Sequence, residues 1–386
     1  MRSIGVVTTA RSDYGIYRPV LDAMERSSTL EYGLFVSGAH LAEKYGMTIR
    51  EIEAADRPVW ARIPMLDESG GDTDASVARA MGRGVSGFAD ALAQKRPDIL
   101  MVLGDRFDMF AAVAASVPLN LPIAHIHGGE ITFGAIDEVF RHAITKMAHL
   151  HFPATEEYAA RIRQMGEEDW RITVSGAPSL DNLTTGNLHG AAELETVFGI
   201  PFSPPPIVVT LHSSTRGLES TRDDCAAMMD ALRTIEDRAI IFTAPNADPG
   251  GLEIRAQIAA FVAERTNAHS LESFGSAHYL SALGAAAAVV GNSSSGLIET
   301  PSFRLPTVNI GDRQDGRTRA RNVIDVAPES GAIGDAIRRA LDPAFRETLS
   351  DLANPYGDGN AASRIVEVLE TVELDDRLLA KRFADL

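Results

Sequence analysis

Titratable side chains crowd two short stretches of the chain, and serines crowd a third. HIHGGEITFGAIDEVFRHAITKMAH (125–149) carries His127, Glu130, Asp137, Glu138, Arg141 and His142. GDRFDMFAA (104–112) packs Asp105, Arg106 and Asp108 behind one apolar run. Carboxylates and imidazoles whose surroundings push their pKa values apart are what proton transfer at carbon requires. Three charges at one strand-to-helix turn also exceed what a helix cap uses. His125 and His127 alternate along an expected strand and so share a face. A His-x-His pair can chelate a metal, but the spacing forces no third ligand beside it, and His125 equally suits a core position. Acid–base use is the better reading, and no metal is expected. Arg141 and His142 lie within a helix pattern, so one of the two is free to be structural.

The third stretch, VVGNSSSGLIET (289–300), suits an anion. An apolar run ends in Ser293, Ser294, Ser295 and Gly296 ahead of a helix-like segment. Backbone N–H groups and hydroxyls at a helix N-terminus favour negative charge, and three serines exceed one cap. Glu299, further along, can accept from a ribose hydroxyl or serve as a surface residue. Other strand ends add to the list. TTARSDYG (8–15) supplies Arg11, with bidentate geometry for phosphate or carboxylate, and Asp13, a helix-cap candidate. LHSSTRG (211–217) places His212 before Ser213, Ser214 and Thr215. In GDRQDGRTRARN (311–322), Arg313 lies nearest the preceding strand. Together these suggest a diphosphate linking a nucleoside to something small, held by the second half of the chain while the first half supplies acids and bases.

The elements that must position these residues alternate from end to end. Near-continuous apolar runs, as in buried parallel strands, fall at 3–9, 32–38, 98–104, 122–128 and 171–176, with helix patterns at 16–27, 74–95, 135–148 and 155–165. Four prolines between Pro201 and Pro206 mark a connection. Strands at 207–212, 239–245, 287–292 and 307–311 then alternate with helices near 219–235, 251–265 and from about 294. This is an α/β fold of two doubly wound halves: residues 1–176, residues 177–359, and a terminal helical segment, 360–386. In such sheets ligands bind beyond the carboxyl ends of the strands.

Bulk composition narrows the partners. A net charge of −17 argues against nucleic acid and against an anionic membrane surface. No run approaches the roughly 20 apolar residues of a membrane span. The one cysteine, Cys225, permits no internal disulfide and excludes a Cys-rich zinc site. A cytoplasmic protein is the expectation. There is no G-x-x-x-x-G-K-[ST] loop, and no G-x-G-x-x-G follows the first strand, so a dinucleotide is disfavoured.

The motifs TTARSDYG, GDRFD, HIHGGE with the downstream GAIDE and RHAITK, GNSSSGLIE, VNIGDRQDGR and YGDGNA, taken in order, resemble the hydrolysing UDP-N-acetylglucosamine 2-epimerases of sialic-acid-type pathways. The resemblance runs from Val6 to about Leu369. It implies two Rossmann-like domains facing a central cleft, as in GT-B glycosyltransferases, with the C-terminal helix returning to the first domain. It implies removal of UDP with inversion at C2 to release a free manno-configured sugar, with no cofactor. By position, Arg11, His212, Ser293, Ser294, Glu299 and Arg313 would hold the nucleotide diphosphate, and Phe274 would line the base site. Asp105, Glu130, Asp137 and His127 would face the sugar. Relatives of this kind form homodimers or homotetramers.

Two positions depart from the animal enzymes of this type, which carry Glu at His127 and Lys at Ile16. RSDYGIY is closer to the subgroup acting on a 2,4-diacetamido-2,4,6-trideoxy sugar in legionaminic acid synthesis, and an apolar Ile16 suits that less polar sugar. A non-hydrolysing epimerase is one alternative, but its GTRPE-like opening and its HVEAGLR motif are absent. A GT-B glycosyltransferase is another; it would not exchange the C2 proton. A pure binding module gains nothing from Asp105, Glu130, Asp137 and Glu138.

Overall fold

The computed structural model describes residues 1–67, 73–133, 136–185, 188–213, 218–245 and 250–385. The chain forms two units, one of residues 1–130, 135–182 and 356–386, the other of residues 131–134 and 183–355. In the first unit the strands are β1 (Arg2–Thr8), β2 (Leu30–Ser37), β3 (Val59–Ile63), β4 (Ile99–Leu103), β5 (Ile123–Ile126) and β6 (Leu150–Phe152). They pair in the order β3-β2-β1-β4-β5-β6, all parallel. In the second, β7 (Ile207–Thr210), β8 (Ile240–Thr243), β9 (Ala268–Leu271), β10 (Ala288–Gly291), β11 (Thr307–Ile310) and β12 (Val323–Val326) pair in the order β12-β11-β10-β7-β8-β9. The two orders are the same topology, the doubly wound one.

All eight central strands are legible as apolar runs because they are covered on both faces; β4, for example, is ILMVL and buried throughout. The sequence reading misses β3, β6, β9 and β12. These are the four edge strands. Each is three to five residues long and mixes polar with apolar side chains: VWARI, LHF, AHSL and VIDV. The expected strand at 171–176 is a correction: a 3-10 turn at Asp169–Arg171 leads to Ile172, which makes one isolated bridge to His151.

Helix Arg11–Arg26 packs Tyr14, Tyr17, Val20, Leu21 and Met24 against the first sheet, an i, i+3, i+4 stripe. The terminal helix, Ala361–Thr371, returns to this unit. Its Ile365 and Leu369 are fully buried in the core formed with β1 and β2. Asp181 fixes its start by accepting from the Ala361 and Ala362 N–H groups at 2.9 and 2.7 Å, two donors that the helix itself cannot satisfy. Among the described residues no helix is long and apolar enough to cross a membrane.

Candidate active site

In this topology the connections leaving the two central strands diverge and open a crevice at their carboxyl ends. In the first unit that crevice receives the turn after β1 and the turn after β4. Asp13 is buried there. Its Oδ2 accepts from the Thr9 N–H (3.1 Å), the Thr9 hydroxyl (2.7 Å) and the Ala10 N–H (3.1 Å), so it fixes the turn ahead of its own helix. Burial raises its pKa, and Arg106 opposes that rise. Arg11, beside it, is half-exposed and pairs with Glu51 at 3.1 Å.

After β4, Gly104 turns the chain at a φ of +74° and Asp105 follows. Asp105 is ion-paired with Arg141, whose side chain is 1% exposed. Arg141 lies in helix Ile136–Met147, and it also donates to Glu138 at 2.8 Å and to the Glu130 carbonyl at 3.0 Å. One guanidinium therefore ties the ends of β4 and β5 to the helix. Of the two helix residues left open by the sequence, Arg141 is the buried tie, while His142 is partly exposed and meets Glu138 at 3.0 Å.

The two histidines of HIHGGE do not share a face. The strand ends at Ile126, and His127 lies beyond it with a φ of +62°. His125 points into the core, its Nε2 2.8 Å from the Gly104 carbonyl, and burial lowers its pKa to about 3. His127 instead meets Glu130, Nδ1 to Oε1 at 2.7 Å, with both side chains nearly buried. The turn requires glycine at 129, where φ is +78° and a Cβ would stand 2.4 Å from the Tyr158 carbonyl oxygen.

Asp137 sits in the first turn of the Arg141 helix. Burial and then the Asp105 charge raise its pKa from 3.8 to about 6, against the opposing pull of Arg106 and Arg141. A carboxyl group titrating near neutrality beside an ion-paired carboxylate is the separation that acid–base catalysis uses.

The equivalent crevice of the second unit lies beyond β7 and β10. Gly291 ends β10 with a φ of +137°, and any Cβ would stand 1.9 Å from the Thr210 carbonyl oxygen, so only glycine fits. Asn292 follows and braces the site. Its Oδ1 accepts from the His212 N–H at 2.7 Å, and its Nδ2 donates to the His212 carbonyl at 2.9 Å. Its own carbonyl accepts from Gln314 at 2.8 Å and Arg313 at 3.4 Å. Burial, and then Arg313, lower the His212 pKa to about 4, so the imidazole is neutral at neutral pH.

The serine stretch differs from its expectation. The helix after it is a single turn, Ser295–Ile298, followed by a 3-10 turn at Thr300–Phe303 that contains Pro301. So short a helix has little dipole to offer. The Ser293 hydroxyl accepts from the Ser295 N–H at 3.4 Å, and Ser294 occupies the cap position without a side-chain capping bond. Gly296 packs against β11, where a Cβ would meet Thr307 at 2.7 Å. Glu299 ends the turn. Phe274 is 4% exposed, in a cluster with Phe198 and Ile241. Ser214 and Thr215 lie outside the described residues. Ile16 packs against the core of the first unit.

Sequence reasoning did not single out Asn292 or Gln314, because neither is charged. An asparagine directly after a strand-ending glycine was the available signal.

Comparison with known proteins adds relatives along almost the whole chain. The family described as UDP-N-acetylglucosamine 2-epimerase matches residues 22–370. The chain is 33% identical to the GDP/UDP-N,N'-diacetylbacillosamine 2-epimerase (hydrolyzing) of Campylobacter jejuni, covering 100% of this chain and 99% of that protein. It is equally 33% identical to the UDP-N,N'-diacetylbacillosamine 2-epimerase (hydrolyzing) of Legionella pneumophila, covering 99% of each. The crystal structure of a UDP-GlcNAc 2-epimerase from Neisseria meningitidis bound to UDP-GlcNAc has the same fold, with a TM-score of 0.80 at 19% identity over 96% of this chain and 99% of that one.

Proposed function

This chain belongs to the UDP-N-acetylglucosamine 2-epimerase family, and from that premise we propose that it is a hydrolysing 2-epimerase acting on UDP-N,N'-diacetylbacillosamine. That compound is the UDP-linked 2,4-diacetamido-2,4,6-trideoxyglucose. The products are UDP and the free manno-configured sugar, a precursor for nonulosonic acids. The observation carrying the chemistry is the Asp105–Asp137 arrangement, one carboxylate ion-paired to Arg141 and its neighbour titrating at about pH 6. The choice of sugar rests on the names of the two full-length relatives and on the RSDYGIY motif.

Asp137 takes the proton from C2. The electron pair forms the C1–C2 double bond as the C1–O bond breaks, and UDP leaves. Raising the pKa of a carboxylate by desolvation makes it the stronger base, while Asp105, clamped by Arg141, holds the geometry. Water then adds its oxygen to C1, keeping one proton as the new hydroxyl and losing the other to solvent. The His127–Glu130 pair gives a proton to C2 on the face opposite Asp137. The departing diphosphate gains charge, and neutral His212 with Arg313 and the hydroxyls of Ser293 and Ser294 stabilises it as it forms. A cytoplasmic homodimer or homotetramer belongs to the same reading, and light scattering measures its size.

The test is a proton NMR time course in D2O with UDP-N,N'-diacetylbacillosamine in one tube and UDP-N-acetylglucosamine in another. The expected result is UDP plus free manno-configured sugar deuterated at C2, faster in the first tube. UDP-linked product would reassign the chain to non-hydrolysing epimerisation. Retention of the C2 proton would favour the transferase reading. Equal or faster turnover of UDP-N-acetylglucosamine would overturn the choice of sugar.

A further inference from the structure

The helix Ile136–Met147, which carries Asp137 and Arg141, ends without a cap of its own. Only Ala148 and His149 separate it from β6, which leaves no room for the glycine turn that commonly closes a helix. The Ile144 carbonyl accepts from the Ala148 N–H at 2.8 Å. The carbonyls of Lys146 and Ala148 are served from the far end of the chain: Lys381 Nζ donates to both, at 2.8 Å to the first. A cation there also suits the helix dipole. The same ammonium meets Glu167 Oε2 at 2.7 Å. Glu167, whose side chain is 0% exposed, accepts from Lys146 at 2.6 Å as well and meets His151 Nε2 at 3.0 Å. His151 lies in β6, which pairs with β5, the strand that leads into His127.

The tail that carries Lys381 is held in register on the segment 166–171. The Ala384 N–H donates to the Gly166 carbonyl at 2.9 Å. Gly166, at a φ of +80°, leaves room for Phe383, whose ring a Cβ there would meet at 2.4 Å. Arg171 donates to the carbonyls of Arg377 and Leu378 at 2.7 and 2.9 Å. Past Leu378, however, no described residue of this tail is buried, so it adds little apolar burial to the fold. Drawing a lysine out of water costs free energy, and burial lowers the Lys381 pKa to about 8 against the pull of Glu167. What the arrangement secures is one end of one helix. Asp137 lies nine residues before Lys146, about 13 Å along the axis at about 1.5 Å per residue. A tilt of about 4° at the capped end moves Asp137 by about 1 Å, a displacement that can cost about 100-fold in rate.

We infer that Lys381 is a positioning residue: capping the helix from the C-terminal tail, it fixes where Asp137 and Arg141 stand. This rests on the proposed epimerase activity, so wild-type turnover is measured first. A wild type that turns over neither UDP-sugar overturns that activity and this role with it, whereas hydrogen exchange reads the cap in either case.

With an active wild type, Lys381→Met tests the role. Glu167 retains Lys146 and His151 as partners, so the variant folds. Amide exchange speeds up at the end of the helix, over residues 144–149, and not in β1 or β4. On the UDP-sugar, kcat falls by about 10- to 100-fold. Product inhibition by UDP is unchanged, because His212, Arg313 and the serines assigned to the diphosphate belong to the other unit. Unchanged exchange over 144–149, or an unchanged kcat, would overturn the inference. So would weaker UDP inhibition, which would place the effect on binding, or faster exchange throughout the first unit, which would make Lys381 a structural residue only. Lys381→Cys is the second variant: alkylation with 2-bromoethylamine rebuilds an ammonium of lysine length at that position, and the chain's own Cys225 is buried. Turnover returns on alkylation; a variant that stays slow would mean that the tail's packing matters and its cap does not.

Discussion

Asp105 and Arg141 are 36 residues apart in sequence and form one ion pair, in which the arginine is sealed from water and the aspartate is not. The same guanidinium holds Glu138 and the Glu130 carbonyl. The acid–base group is thus one connected object rather than separate side chains.

Removing Arg141 should therefore damage stability and activity together. Arg141→Ala strands Asp105 and Glu138 without their shared cation, a loss of about 3–5 kcal/mol in unfolding free energy. Arg141→Lys retains the charge but cannot reach three acceptors from one planar fork, so it folds better than the alanine variant and still loses turnover. Urea unfolding monitored beside kcat/KM separates the two effects.

Asp137 should set the acid limb of the pH profile. With a pKa near 6 and a role as base, kcat/KM rises as pH passes through about 6 and then levels. Arg106 lowers this pKa, so Arg106→Gln moves the limb to higher pH. A limb that falls through pH 6 would make Asp137 the acid instead.

The same shift has a stability sign. The folded chain keeps a proton on Asp137 that the unfolded chain has already lost between pH 3.8 and about 6. Folding is therefore penalised progressively as pH rises through that window, and fully above it. Asp137→Asn carries no such penalty, so its melting temperature relative to wild type climbs between pH 4 and 6 and is flat above. Calorimetry at half-unit pH steps reads this directly.

His212 should contribute without adding a limb of its own. Its pKa of about 4 leaves it neutral across the working range, so it acts as a neutral hydrogen-bond donor. His212→Gln is expected to lower kcat by about 100-fold while leaving the position of the Asp137 limb unchanged.

Gly291→Ala places a methyl 1.9 Å from the Thr210 carbonyl oxygen at a φ that alanine resists. It should destabilise the second unit by about 3 kcal/mol or more and abolish UDP binding, as measured by thermal shift with and without UDP. A variant of normal stability would show that β7 and β10 can separate at no cost.

Much of this was legible in the sequence, for a physical reason. Strands buried on both faces must be apolar throughout, so β1, β4, β7 and β10 announced themselves, and with them the turns carrying Asp105, His212 and Ser293. Edge strands escape that constraint, and LHF or AHSL carries no such signature. The His127 backbone was equally hidden: alternation predicted a shared face, but the strand stops one residue early and a left-handed turn redirects the ring. Arg141 looked optional because its three partners arrive from separate segments. Asn292 was silent because an uncharged side chain that braces backbone groups looks like any other loop residue.

The identical strand order of the two sheets allows the chain to be read against itself. Gly104 and Asp105 follow β4; Gly291 ends β10 and Asn292 follows it, at the corresponding place. The two pairs differ by one carboxylate exchanged for an amide of nearly the same shape. One sheet thus follows this strand with an acid paired to Arg141 and the other with a neutral clasp on the His212 backbone, which would not repel phosphate.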